Sequence, residues 1–152
     1  MTMLHRVLIM CISLAAVGCS SNLSRFQMPD SDLGDIVALH IDAPDAEERN
    51  AEEIRSLVAT NLENRGYRVE TRDPSATLGE GDYVFDIAAD WHWDITWYLL
   101  ELRVAIYEPE GNILVAQAQS QQSSLVRKSI EEVVERAMAT LFNDPTEEEE
   151  GE

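Results

Sequence analysis

Tyr83-Val84-Phe85-Asp86-Ile87-Ala88-Ala89-Asp90-Trp91-His92-Trp93-Asp94 is the stretch whose reading decides the fold. Its side chains alternate. Tyr83, Phe85, Ile87, Ala89, Trp91 and Trp93 fall on one side of an extended chain, and Val84, Asp86, Ala88, Asp90, His92 and Asp94 fall on the other. A strand with one apolar and one polar side belongs to a sheet covered on a single face. A tight connection near Ile95-Thr96 leads into a second alternating run. In it Leu100, Leu102, Val104 and Ile106 oppose Leu99, Glu101, Arg103, Ala105 and Tyr107. Glu108-Pro109-Glu110-Gly111-Asn112 then reads as a hairpin turn, with Pro to start it and Gly to supply a positive φ. A further strand runs from Ile113 to about Ser120, with Leu114, Ala116 and Ala118 on one side and Gln117 and Gln119 on the other.

Working outward, the sequence predicts two helices to cover the apolar face. Pro44-Asp45 opens the first, with Asp45 as N-cap and Glu48 completing a capping box, and Gly66 takes the left-handed position that ends it. Ala51, Ile54, Leu57, Val58 and Leu62 form its apolar stripe. The second has Ser129 as N-cap and Glu132 as capping-box partner, with Ile130, Val133, Val134, Ala137, Met138 and Leu141 as its stripe. Two short strands remain, Asp35 to Ile41 before the first helix and Tyr67 to Thr71 after it. The right-handed crossover rule would set these two parallel. The expected fold is α+β, a two-layer α/β sandwich in the order β-α-β-β-β-β-α. Its five-stranded sheet is mixed or mostly antiparallel, and two helices cover one face.

The chain of 152 residues carries 11 Lys and Arg against 29 Asp and Glu, a net charge of −18. Such a balance excludes a module that grips nucleic acid through a basic face. At the N-terminus, His5-Arg6 precedes the apolar run Val7 to Val17, which is too short to span a bilayer and has the layout of a secretory signal. It ends in Ala16-Val17-Gly18-Cys19. These four residues resemble the lipobox of bacterial lipoproteins, with Ala16 where Leu is usual. That resemblance implies cleavage after Gly18 and attachment of diacylglycerol and palmitate to Cys19, and Ser20 implies sorting to the outer membrane, facing the periplasm. Cys11 lies within the signal, so cleavage leaves one cysteine and no intramolecular disulfide.

The expected division is a signal over 1–18, a flexible tether over 19–32, one globular periplasmic domain over 33–143 and a disordered acidic tail over 144–152. Within 33–143 there are 21 acids and 9 bases, so the domain itself is acidic. Direct adhesion to anionic head groups is disfavoured, and acyl chains must supply the attachment.

Three groups of residues are candidates for chemistry. Asp90, His92 and Asp94, with Asp86 further back, share one side of a strand and are of the types that ligate Mn or Zn. Alternate residues lie roughly 7 Å apart, however, so they converge on one ion only with ligands from elsewhere. Asp86 and Asp90 are the best acid/base pair. Trp91 and Trp93 read as core, whereas Trp97 and Tyr98, with Glu101 and Arg103 beyond them, read as a patch for a partner or for the lipid interface. Arg127-Lys128 reads as a solvated approach to the last helix. No nucleophile elbow, phosphate loop, dinucleotide fingerprint or zinc-protease motif occurs, and no cofactor is implied.

With Trp91-His92-Trp93-Asp94, Tyr98 and Leu102-Arg103-Val104, the chain resembles small uncharacterised proteobacterial envelope lipoproteins that share a Trp-x-Trp-Asp strand and a helical C-terminus. In element order it also resembles the periplasmic accessory lipoproteins of secretion and export machines, such as the curli-secretion and polysaccharide-export lipoproteins. That resemblance implies assembly on an envelope partner or into a homo-oligomer, without catalysis. The expected function is thus a non-catalytic, lipid-anchored outer-membrane lipoprotein with a protein-binding periplasmic domain. The alternative is an envelope enzyme or metal-binding protein built on Asp86, Asp90, His92 and Asp94.

Overall fold

The computed structural model describes residues Asn22 to Asp144. The segment 1–18 expected to be a signal, with Gly18, then Cys19 and nearly all of the acidic tail, lie outside the described residues. The elements are β1 (Asn22–Gln27), a 3-10 turn (Leu33–Asp35), β2 (Ala38–Ile41), α1 (Ala51–Asn64), β3 (Arg68–Thr71), β4 (Asp82–Asp94), β5 (Thr96–Glu108), β6 (Ile113–Gln121) and α2 (Ile130–Phe142). They build an α+β sandwich, one mixed sheet with two helices packed on it, as the alternation predicts. The strand order is β1-β6-β5-β4-β2-β3. β2 runs parallel to both β3 and β4, as expected for the first crossover, and all other pairs are antiparallel.

The sheet has six strands and not five. The extra one, β1, falls inside the stretch expected to be a tether. It pairs antiparallel with β6 from Asn22↔Gln121 to Gln27↔Ala116. Its sequence, Asn-Leu-Ser-Arg-Phe-Gln, has too few apolar residues to announce a strand, because it is an edge whose inward side is held by polar contacts. Arg25 donates from Nε to the Leu141 carbonyl at 3.0 Å, which satisfies one of the last carbonyls of α2.

Two further boundaries move for local reasons. The first expected strand begins at Ala38 and not Asp35, because Asp32 accepts from the Gly34 N–H at 2.8 Å and winds Leu33–Asp35 into a turn. Likewise α1 begins at Ala51, not behind an Asp45 cap. Asp45 accepts from the Glu47 N–H at 2.9 Å in a local turn, and Asn50 in the left-handed region (φ 54°) separates that turn from the helix. In the β5–β6 turn the positive φ belongs to Asn112 and not to Gly111. Gly66 does end α1 with a φ of 94°, and Ser129 and Glu132 do form the capping box of α2.

The core lies between the helices and one sheet face. Ile54, Val58 and Leu62 of α1 and Val133, Val134, Ala137, Met138 and Leu141 of α2 close over Leu39, Phe85, Leu102, Val104 and Ile106. The far ends of both helices are locked by Tyr67, which stacks on Phe142 at 5.5 Å and donates to the Leu33 carbonyl at 3.0 Å. Burial pushes its phenol pKa up, with Arg65 opposing and Asp32 adding. The buried side chains form one continuous core, from Leu33 to Leu141. No helix among the described residues is long and apolar enough to cross a membrane.

The capping box gives the first prediction. Ser129→Ala leaves the Glu132 N–H uncapped and is expected to lower stability by about 1 kcal/mol in urea unfolding. Hydrogen bonds from Ser129, first from its backbone N–H, hold the Glu132 carboxyl below the usual carboxylate range. A depressed pKa contributes stability that is complete above the unfolded value and is lost as pH falls through the folded one. Wild type is therefore expected to lose stability relative to Glu132→Gln as pH drops from neutrality to about 3, a difference read from paired urea midpoints.

Candidate functional site

Two surfaces stand out. The first is the sheet face opposite the helices. The register places Ser24, Gln119, Arg103 and Ala88 in one row across four strands, Phe26, Gln117, Ala105 and Asp86 in the next, and Asn22, Gln121, Glu101 and Asp90 in a third. It is a broad amide-rich face with interspersed charges; both helices pack on the opposite side, and at the hairpin end Arg127 covers the buried Tyr98. At its β2–β3 side, His40 is buried with Nε2 3.4 Å from Asp82 and Nδ1 3.9 Å from Glu70, while Arg68 pairs Glu70 at 2.8 Å. His40 sits in an apolar run, and no motif in the sequence marks this cluster.

The second surface is the end of the β4–β5 hairpin. Both strands have 13 residues, against 9 in β6 and 6 in β1, so the hairpin projects past its neighbours. Its register shifts at a bulge: Asp90 pairs Glu101, whereas Trp91 pairs Leu99, leaving Leu100 as the extra residue. This reverses the expected sidedness of the start of β5. Leu99, expected on the polar side, enters the core, and Tyr98, expected in an exposed patch, is buried on the opposite side.

The tryptophans divide differently from expectation. Trp91 is half-buried against the core as expected, but Trp93 is 57% exposed and Trp97 48%. They lie beyond the reach of the helices and pair with each other, ring centroids 5.5 Å apart. The Arg49 guanidinium sits 4.5 Å from the Trp97 ring and 5.9 Å from Trp91. Between them Ile95 forms the turn, 84% exposed at φ 63°. A β-branched residue is strained in that region, by roughly 1–2 kcal/mol.

Arg127 fastens the tip, in place of the solvated role expected of it. Its guanidinium donates to Asp94 Oδ2 at 2.9 Å, to the Asp94 carbonyl at 3.0 Å and to Thr96 Oγ1 at 2.9 Å, and lies 4.6 Å from the Tyr98 ring. The segment it belongs to brings exposed Leu125 (77%) and Val126 to the same end. Sequence reading missed Arg49 and the clamp made by Arg127, since both act through partners distant along the chain, and it placed Ile95 in the turn without marking its exposure or its left-handed backbone.

The proposed metal row is not brought together. Asp94 is held by Arg127, His92 meets Tyr98 edge-on at 5.6 Å, and Asp90 lies back toward the sheet. Among the described residues no three His, Cys, Asp or Glu side chains are close enough to share an ion. Asp86 and Asp90 are four residues apart on one strand, about 13 Å, too far to exchange a proton directly. Glu101 and Arg103 do lie on the open face, Arg103 exposed and Glu101 half-buried. On the helix side, a groove of about 320 Å³ opens between the segment before α1 and β4, with Ile41, Phe85, Ile87 and Trp91 as floor and Asp42, Glu48 and Arg49 at its rim.

No protein-family model matches the chain, and no curated protein matches it. Among solved structures, it resembles the PelC dodecamer from Paraburkholderia phytofirmans. Against a point variant of that protein the TM-score is 0.55 at 15% identity, over 81% of this chain and 95% of the other. Against a second PelC dodecamer structure the TM-score is 0.55 at 13% identity, over 81% and 96%. A PDZ domain protein from Parabacteroides distasonis matches with a TM-score of 0.52 at 8% identity, over 91% of this chain and 40% of that one. At these identities the likeness is one of fold.

Removing the Arg127 clamp tests the construction of the tip. Arg127→Ala is expected to cost about 1 kcal/mol in global stability. It should accelerate amide exchange at residues 93–98 well beyond that in β6, and equal exchange in both strands would show that Arg127 holds nothing.

Proposed function

We propose that the chain is a non-catalytic lipoprotein, anchored to the outer membrane through Cys19, whose periplasmic domain binds an envelope protein or further copies of itself through the open sheet face. The observation that carries this reading is that face: three rows spread over four strands, mostly of amide, hydroxyl and charged side chains, with Asn22, Ser24, Asp86, Asp90 and Arg103 exposed and Gln117, Gln119, Gln121 and Glu101 half-buried, opposite a packed core. A flat surface rich in hydrogen-bonding groups suits contact with another protein, where direct and water-bridged bonds give specificity. The lipobox-like Ala16-Val17-Gly18-Cys19 supports the anchor. The dodecameric state of the PelC structures that share this fold supports self-association as one form of the contact. The acidity of the domain favours a basic or cation-mediated counter-surface.

Palmitate labelling of cells should mark wild type and not Cys19→Ser, and fractionation should move the variant out of the outer membrane. In crosslinked envelopes, Arg103→Glu combined with Gln119→Glu should abolish the adducts formed by wild type while leaving the melting temperature within about 2 °C. Adducts that survive this change would exclude the open face, and a wild type that forms none would contradict the binding reading.

A further inference from the structure

The hairpin tip and the start of β1 lie at the same end of the sheet. Asn22, the first residue of β1, lies in the row Asn22–Gln121–Glu101–Asp90, at the end of β1 toward which β4 runs. Only Ser20 and Ser21 separate Cys19 from Asn22. Three peptide units span at most about 11 Å. Ile95 stands five residues past Asp90 on an extended strand, about 16 Å beyond the same row. An acyl group on Cys19 therefore holds the bilayer surface no further from that row than the tip already reaches.

What the tip presents suits that position. Trp93, Ile95, Trp97, Leu125 and Val126 are exposed together at one end of an otherwise acidic domain. Arg49 and Arg127 flank them, and Arg127 neutralises Asp94, the acid nearest the turn. Tryptophans with adjacent aliphatics and basic residues are the composition of the bilayer interface, where an indole ring buries its body and keeps its N–H wet. Asn or Asp would occupy the left-handed turn with less strain, yet the residue there is an exposed isoleucine.

We propose that the tip of the β4–β5 hairpin, with Trp93, Ile95, Trp97 and Leu125, inserts into the bilayer to which Cys19 is attached. It forms a second membrane contact that fixes the orientation of the domain. The inference rests on the lipoprotein reading for the position of the anchor, and its test is independent of whether cells acylate the cysteine. The chain from residue 19 onward has Cys19 as its single thiol, so the mature protein can be coupled to a maleimide phospholipid in phosphatidylcholine–phosphatidylethanolamine vesicles. Brominated acyl chains then report tryptophan insertion by quenching. Wild type should be quenched with a blue-shifted emission. Ile95→Asp with Leu125→Asp, which keeps all three tryptophans and changes only exposed positions, should show the emission of the vesicle-free protein.

Absence of quenching in tethered, folded wild type would overturn the proposal, as would quenching that the double variant retains. Wild type that associates through its tips in the absence of vesicles, and becomes monomeric in the double variant, would assign the patch to a second copy and also overturn it. A failure of palmitate labelling with quenching intact would remove the lipoprotein reading alone.

Discussion

The structure depends on the pairing of β4 with β5. These two strands form the middle of the sheet, and their register decides which side chains face the helices and which face water. From Val84↔Tyr107 to Asp90↔Glu101 the pairing sends Phe85, Leu102, Val104 and Ile106 into the core and leaves Asp86, Arg103 and Glu101 on the open side. One extra residue, Leu100, then restarts the alternation with Leu99 inward. Without that bulge the end of the hairpin would present Leu99 to water and carry Leu100 toward the helices. The two surfaces described above are thus consequences of one ladder: the regular part makes the open face, and the part past the bulge makes the tip.

Much of this was legible because alternation and helical spacing report burial directly. Phe85, Leu102, Val104, Ile54, Val58, Val133 and Met138 are all where their periodicity predicts. The capping box at Ser129 and the left-handed Gly66 were legible for the same reason, since both act within one turn. β1 was not, because Asn22–Gln27 is held by a strand almost one hundred residues away and by the tail of α2, and its own side chains are polar. The exposure of Trp93 was not legible either: alternation gives the side of a sheet but not how far the helices extend over it. Tyr98 and Leu99 exchanged environments through a bulge that leaves no mark in the residues themselves. The sites of interest therefore lie where local pattern and tertiary pairing disagree.

Acidity shapes what such a domain can meet. With 21 acids against 9 bases between residues 33 and 143, two of the arginines are spent at one end of the molecule, on Trp97 and on Tyr98 and Asp94. That end is the least repelled by phospholipid, and the remaining surface is the most selective for basic partners. Under the proposed reading, anchor, tip and open face have separate tasks: attachment, orientation and recognition.

The claim at the centre of this account is that the open face is covered in the envelope and bare in the isolated domain. Hydroxyl-radical footprinting measures this on Phe26 and Tyr107, which the register places on that face. The account predicts that both side chains are modified readily in the purified domain and markedly less in intact envelopes, while exposed Ile113, which pairs with Glu108 on the other side of the sheet and away from the tip, serves as reference. Equal modification of Phe26 and Tyr107 in both settings would contradict it.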